Sequence, residues 1–171
     1  SELEEVLKRI REEAERLMRR NEETLRRVKK TIEDLLRRNE KRLEDVKREA
    51  DEIEKRKLDE DEVRKEDKRI EEEIKKLSDD SRDMERRIEE EIRRLEEDHK
   101  KKRRDTRERL KKAKLSERVK EEIERIEKRV REVHEEVNKR IEDLRREYRK
   151  EHKRVEDEIR RILREVREKR R

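Results

Sequence analysis

The sequence contains no glycine, proline or cysteine, no tryptophan or phenylalanine, and a single tyrosine. Without glycine or proline, tight hairpins, βαβ crossovers and glycine-rich phosphate-binding loops are not expected. Without cysteine there is no disulfide, thiolate zinc site or thiol nucleophile. No apolar run approaches the roughly 18 residues that a membrane helix needs, and no signal-peptide core is expected. We therefore expect no membrane partner, and the composition does not indicate a compartment.

What the chain has instead is charge. Of its 171 residues, 68% are charged and 25% hydrophobic, whereas an ordinary soluble domain has about 25% charged and 45–50% apolar residues. Such a polar composition usually indicates disorder. Most of these residues, however, are strong helix formers, and the apolar ones are spaced as on a helix. The 61 basic and 55 acidic side chains are interleaved, so we expect no nucleic-acid partner, which would need a patch of one sign.

The stripe of apolar residues repeats at every eighteenth position, in steps of 4, 3, 4, 3 and 4. One such repeat makes five turns of a helix with about 3.6 residues per turn. A heptad repeat drifts around the helix and produces a supercoil, but this period keeps the stripe straight. The first third of the chain shows it in Leu3, Leu7, Ile10, Ala14, Leu17, then Asn21, Leu25, Val28, Ile32, Leu35, then Asn39, Leu43, Val46, Ala50, Ile53.

Two more stripes of the same kind follow, and turn chemistry lies between the three. Asp59 and Ser116 each stand where a helix begins, and both residue types cap helix N-termini. Glu62, three residues after Asp59, completes a capping-box pattern. The sequence therefore predicts three helices of near 80 Å each at about 1.5 Å per residue, at about 2–57, 60–113 and 117–170.

One segment offers an alternative. Ser78-Asp79-Asp80-Ser81 resembles a helix start and could split the second helix. An inserted turn would shift the phase of the stripe, yet Leu77, Ser81, Met84 and Ile88 continue the 3/4 spacing without a slip. The phase favours one continuous helix.

Short turns make consecutive helices antiparallel neighbours, and three matched stripes can bury one another. Three similar stripes, two short turns and no aromatic core resemble de novo designed antiparallel three-helix bundles over the whole chain. The resemblance implies an all-α fold: one long, straight, untwisted bundle over residues 1–171, with no natural activity or partner. Spectrin-type repeats share this topology, but their tryptophan is missing here and these helices are about twice as long.

Six polar residues interrupt the stripes or lie beside them, two in each helix, and the members of each pair are separated by one full repeat. Facing partners on antiparallel helices have residue numbers with a constant sum, and those on parallel helices a constant difference. One register satisfies these relations for all six residues, and it places both turns where the capping residues lie. The sequence therefore predicts two buried polar layers about 27 Å apart, which are Asn21–His99–His134 and Asn39–Ser81–His152.

The two polar layers would fix the register of the helices. A stripe with a strict repeat tolerates a slip of one repeat, but a buried amide or imidazole without its partner loses roughly 1–3 kcal/mol. We expect Thr24 and Asn138 to extend the first layer, and the Tyr148 hydroxyl to point toward the second layer or toward water. Buried imidazoles favour the neutral form, so stability is expected to decline below about pH 6.5.

The same residues do not predict enzyme chemistry. A zinc site needs three or four ligands, and Asn21 is a poor third beside His99 and His134. The seam, where the three apolar stripes meet, is too narrow for a substrate cleft and offers no oxyanion loop. We therefore expect no catalytic, cofactor or metal site. Besides a monomeric scaffold, two alternatives remain open: a coiled-coil protein that associates with itself, and a charged single helix that acts as a spacer.

Overall fold

The computed structural model describes residues 2–169. Over this range the chain forms three helices and no strand. They are α1 (Glu2–Arg56), α2 (Glu60–Lys111) and α3 (Glu117–Glu168). All three pack against one another, so the prediction of an all-α three-helix bundle is confirmed.

Two helix ends differ from the prediction. Helix α1 ends one residue early, because Lys57 leaves the helical region with a φ of 45°. Helix α2 ends at Lys111 and not at 113, since the chain tightens there: the Ala113 amide donates to the Leu110 carbonyl, three residues back, at 3.4 Å. The predicted end of the third helix at 170 lies outside the described residues.

The two predicted caps are present. The Glu62 amide donates to Asp59 Oδ1 at 2.9 Å at the start of α2. The Val119 amide donates to Ser116 Oγ at 3.4 Å at the start of α3. Each side chain thus binds an amide of the first helical turn that has no partner within the helix. Local sequence therefore determines where both helices begin.

Helix α2 runs without a break through residues 78–81, as the phase of its stripe predicts. Leu77 and Met84, on either side of this segment, are both buried. A turn inserted here would move one of them off the buried face, so burial of the stripe outweighs the capping tendency of the serine and aspartate residues.

The chain divides into two compact units, and the prediction of a single domain stays a prediction. The first unit contains the chain up to Lys29 together with Arg87–Asp143. In its hydrophobic cluster, Ala14 and Leu17 of α1 pack with Val130 of α3. Helix α2 adds the buried Ile88 and Leu95 to the interior of this unit, together with the polar His99, which belongs to the candidate site.

The second unit contains Lys30–Arg86 and the chain from Leu144 onward. Its larger hydrophobic cluster draws on all three helices, so the stripes meet as predicted. The buried members are Leu43, Val46, Ile53, Val63, Ile70, Leu77, Val155, Ile159, Ile162, Leu163 and Val166.

Lys57 provides a test of the first turn. A side chain in the left-handed region costs about 1 kcal/mol, which glycine avoids, and this position after a helix is one that glycine commonly fills. We expect Lys57→Gly to raise the free energy of unfolding by about 0.5–1 kcal/mol in urea titrations. Lys55→Gly, two residues earlier and still in helical geometry, is the matched control and should lower it by a similar amount. Destabilisation by both variants would contradict this account of the turn.

Candidate functional site

Asn21 of α1 and His99 of α2 form a buried hydrogen bond in the first unit. The Asn21 Nδ2 lies 2.9 Å from His99 Nε2, and it also donates to the Leu17 carbonyl at 2.8 Å. An amide nitrogen donates and cannot accept, so His99 Nε2 accepts and its Nδ1 carries the hydrogen. The two residues are 0% and 6% exposed. The Asn21 Oδ1 is buried and has no hydrogen-bond partner within residues 2–169.

His134 of α3 stacks on His99. The ring centroids are 3.8 Å apart and the planes differ by 17°. The His134 ring is half-buried, and its Nε2 accepts a hydrogen bond from Asn138 Nδ2 at 3.3 Å. We call Asn21, His99, His134 and Asn138 the first polar cluster. The structure thus brings together the three residues of the first predicted layer, and Asn138 extends them.

Thr24, which we expected to extend the same layer, is also buried. Its hydroxyl accepts a hydrogen bond from Arg27 Nη2 at 3.4 Å. It therefore lies at the edge of the seam, where a charged side chain from the surface reaches its hydroxyl.

Both imidazoles of the first polar cluster favour the neutral form. Burial lowers the pKa of His99 to about 3, and His134, Arg103 and Lys102 contribute to this shift by charge repulsion. Burial also lowers the pKa of His134, while Glu96 opposes this shift. Protonation of either ring would place a charge in a desolvated site and beside a second ring that can also become charged.

Tyr148 of α3 occupies the centre of the corresponding site in the second unit. It is 0% exposed, and its hydroxyl lies 3.4 Å from His152 Nδ1. Burial raises the pKa of Tyr148, and the polar side chains of Ser81 and Asn39 oppose that rise. We call Asn39, Ser81, Tyr148 and His152 the second polar cluster. Tyr148, which we expected to point toward this layer or toward water, places its hydroxyl at the His152 ring of this layer.

Burial within the second polar cluster is uneven. Asn39 is 1% exposed, whereas Ser81 and His152 are only half-buried. His152 lies one residue beyond the stripe of α3, so its ring reaches the edge of the seam, where its Nε2 is 3.5 Å from a carboxylate oxygen of Glu156. The Asn39 Nδ2 is buried without a hydrogen-bond partner among the described residues.

Some charged residues reach buried groups, and the sequence did not single them out: Arg42 contacts the second polar cluster, and Asp67 is buried elsewhere in the second unit. Arg42 donates to Asn39 Oδ1 at 3.3 Å and to Asp80 Oδ2 at 2.6 Å. Asp67 is buried and accepts from Arg167 Nε at 3.0 Å. With 68% charged residues, residue type gave no signal. The register contained a usable signal, because the alignment that pairs Asn39 with Ser81 also brings Arg42 near Asp80.

Glu49 of α1 and Glu66 of α2 form a carboxyl pair in the second unit. Each has a buried Oε2 that no donor within residues 2–169 reaches. Burial raises the pKa of Glu49 to about 7, the charge of Glu66 and a hydrogen bond with it contribute to this rise, and Arg69 opposes it. With a pKa of about 7, Glu49 keeps its proton through much of the range below neutral pH, since burial and the nearby Glu66 both disfavour its charged form.

Neither cluster has the donors of a metal centre. No group of three or more histidine, aspartate or glutamate side chains could hold an ion within the described part of the chain. The stacked rings of His99 and His134 explain this locally, because imidazole lone pairs lie in the ring planes and nearly parallel planes do not converge on one ion. No helix in residues 2–169 is long and apolar enough to cross a membrane.

Comparison with known proteins gives no relative. The chain matches no protein-family model, and searches of curated proteins and of solved structures found no match. Function is therefore inferred from the two polar clusters and from the repeat that surrounds them.

His99 predicts a loss of stability in acid. Its pKa is lowered from 6.5 to about 3, so its contribution is complete above pH 6.5 and is lost as the pH falls toward 3. We expect His99→Gln, which keeps a partner for Asn21 but cannot titrate, to remove about 1–2 kcal/mol of the decline in unfolding free energy between pH 7.5 and 4.5. Urea titrations at both values measure it, with Lys139→Gln on the exposed surface as control. An equal decline in both variants would contradict the assignment.

The carboxyl pair of Glu49 and Glu66 predicts a pH dependence of stability opposite to that of His99. The pKa of Glu49 is raised from 4.5 to about 7, so its contribution is complete below pH 4.5 and is lost as the pH rises through 7. Glu49→Gln supplies a neutral donor to Glu66. We expect this variant to be more stable than the original chain by about 1 kcal/mol at pH 8, since partial exposure screens the charges, and by less at pH 5.

Urea titrations at pH 5 and pH 8 give this comparison. Glu44→Gln, at an exposed position of α1, removes the same charge and is the matched control. A gain for Glu49→Gln that does not change with pH would show that Glu49 does not titrate near neutral pH.

Proposed function

We propose that the chain is a designed structural scaffold with no natural biochemical activity, in which the polar clusters fix the register of the helices. The observation that carries this proposal is the buried hydrogen bond between Asn21 and His99 within stripes that otherwise repeat an apolar pattern. An amide and an imidazole stand at the same height on neighbouring helices, where the repeat would place apolar residues.

The native register of the helices and a slipped register differ in free energy. Sliding one helix by a full repeat would still superpose apolar residues on apolar residues. That slip would break the bond between Asn21 and His99. Even where Asn39 then meets His99, one repeat further along, Asn21 stays in the seam without a partner, at a cost of roughly 1–3 kcal/mol for each unsatisfied group. The clusters therefore act mainly against wrong registers, as buried polar residues do in coiled coils.

Composition and local signals support a designed origin. The three stripes share one period, α2 and α3 each begin after a capping residue, and charges of both signs are interleaved along every helix. Consistency of this kind between pattern, caps and surface is what design rules aim for. The lack of a matching family is compatible with that origin.

The two alternative functions, a single-helix spacer and a chain that associates with itself, require different packing and a different surface. A single-helix spacer would leave its helix unpacked, whereas these three helices pack against one another. A chain that associates with itself would need an apolar face for its partner. No large hydrophobic side chain is exposed in residues 2–169, and this supports a monomer as the working form.

The test is a variant in which the clusters are apolar. It combines Asn21→Leu, Asn39→Leu, His99→Leu and Tyr148→Phe. These changes remove both partners of the bond between Asn21 and His99, and they leave only the part-exposed His152 and Arg42 with one bond fewer, so we expect stability to stay equal or to rise. We also expect a second register of α1 against α2 to become populated, displaced by one or two helical turns, about 5–11 Å, which is as far as the short turn between Arg56 and Glu60 allows.

The register can be measured by spin labels and double electron–electron resonance. The chain has no cysteine, so cysteines introduced at the exposed positions Glu22 and Lys101 would be the only labelled sites. We expect one distance for the original clusters and two for the apolar variant. A single, unchanged distance in the apolar variant would show that the clusters do not set the register.

A further inference from the structure

A cavity of about 270 Å³ lies beside the stacked imidazoles in the first unit. Its inner surface is formed by Leu17, Val130 and Thr106, which are 4%, 5% and 1% exposed. The rings of His99 and His134 complete this surface. A cavity of roughly 150 Å³ is enough for a benzene ring, so this one accepts one ring or two fused rings.

The outer part of the cavity carries an excess of positive charge. Lys100, Lys102, Arg103 and Arg131 line it against only two acidic residues, Glu96 and Glu127. Arg103 and Arg131 are exposed, whereas Lys102 is half-buried. The cavity therefore has an apolar, aromatic interior and a cationic rim.

Lys102 is the one half-buried cation among the four that line the cavity. Burial lowers its pKa, and Glu127 and Glu13 compensate only in part. The charges of Lys102 and Arg103 also reach the His99 ring, because both lower its pKa. A bound anion would supply the missing counter-charge to both side chains, whereas a bound cation would add to the repulsion.

We propose that this cavity binds a small planar aromatic carboxylate, with its ring against the two imidazoles and its carboxylate between Lys102 and Arg103. Aromatic rings gain energy from stacking beyond the area that they bury. Charge-assisted hydrogen bonds from the lysine and arginine to the carboxylate would orient the ligand. This binding site is independent of the scaffold role and does not rest on it.

The probe is 2-naphthoate, titrated into the folded chain at pH 7.5 and followed by amide and imidazole chemical shifts. We expect saturable shifts at His99, His134 and Thr106 with a dissociation constant of roughly 1 mM or below, as the size of the ligand allows. Two further probes separate the contributions. The neutral 2-naphthamide and the non-aromatic cyclohexanecarboxylate should each bind at least about tenfold more weakly, because each lacks one of the two interactions.

Lys102→Met is the decisive variant. It keeps the approximate length of the side chain and removes a partly buried charge, so the fold should be retained, which circular dichroism checks. We expect it to weaken 2-naphthoate binding about tenfold. Lys139→Met, on an exposed part of α3 outside the cavity, is the matched control and should bind as the original chain does.

Three outcomes would overturn the proposal. They are no saturable shift around the cavity, equal binding of the acid and the amide, and equal binding by the two lysine variants. The last two would show that the cavity takes up apolar molecules without selecting an anion. A fourth outcome, equal binding of 2-naphthoate and cyclohexanecarboxylate, would also overturn the proposal, because it would remove the role assigned to the imidazole rings.

Discussion

Burial of one narrow apolar stripe on each helix is the constraint on which the rest of this structure depends. Only 25% of the residues are hydrophobic, and none of the large ones is exposed within residues 2–169. Almost every apolar residue is therefore needed inside, and each polar residue in a stripe replaces one of them. Such a replacement is tolerated only where neighbouring helices supply partners, as Asn21 and His99 do for each other.

The charged surface has a different role. Many of its ion pairs join exposed arginine and glutamate residues on the same helix, and such pairs contribute little to stability. A few reach inward, such as Arg145 with Glu85 at 2.6 Å, where the arginine is 9% exposed. Because both signs are interleaved on every helix, surface pairs could re-form in several registers. The polar clusters are thus better suited than the surface to distinguish one register from another.

Local signals predicted the fold well. The period, Asp59 and Ser116 gave the number of helices and where α2 and α3 begin, because both depend on nearby residues. The register was also accessible for Asn21 and His99, since a constant sum of residue numbers follows from antiparallel geometry. The end of α2 was not, because the tightening of the chain at Ala113 depends on turn geometry that no residue type indicates.

The parts of the candidate site that escaped prediction depend on side-chain direction. Tyr148 was expected near the second layer, but only its rotamer decides that the hydroxyl meets the His152 ring. Glu49 and Glu66 are two of 55 acidic residues. Nothing in their neighbourhood distinguishes a carboxyl group that turns into the seam from one that stays in water.

Tyr148 has one more consequence. It is the only tyrosine in a chain without tryptophan or phenylalanine, and it is fully buried in the second unit. The near-ultraviolet spectrum and intrinsic fluorescence of this molecule therefore come from a single chromophore at a known depth. Optical signals report on the surroundings of that residue alone, while the ring protons of His99 and His134 report on the first unit. The two halves of the chain can be followed separately in one unlabelled sample.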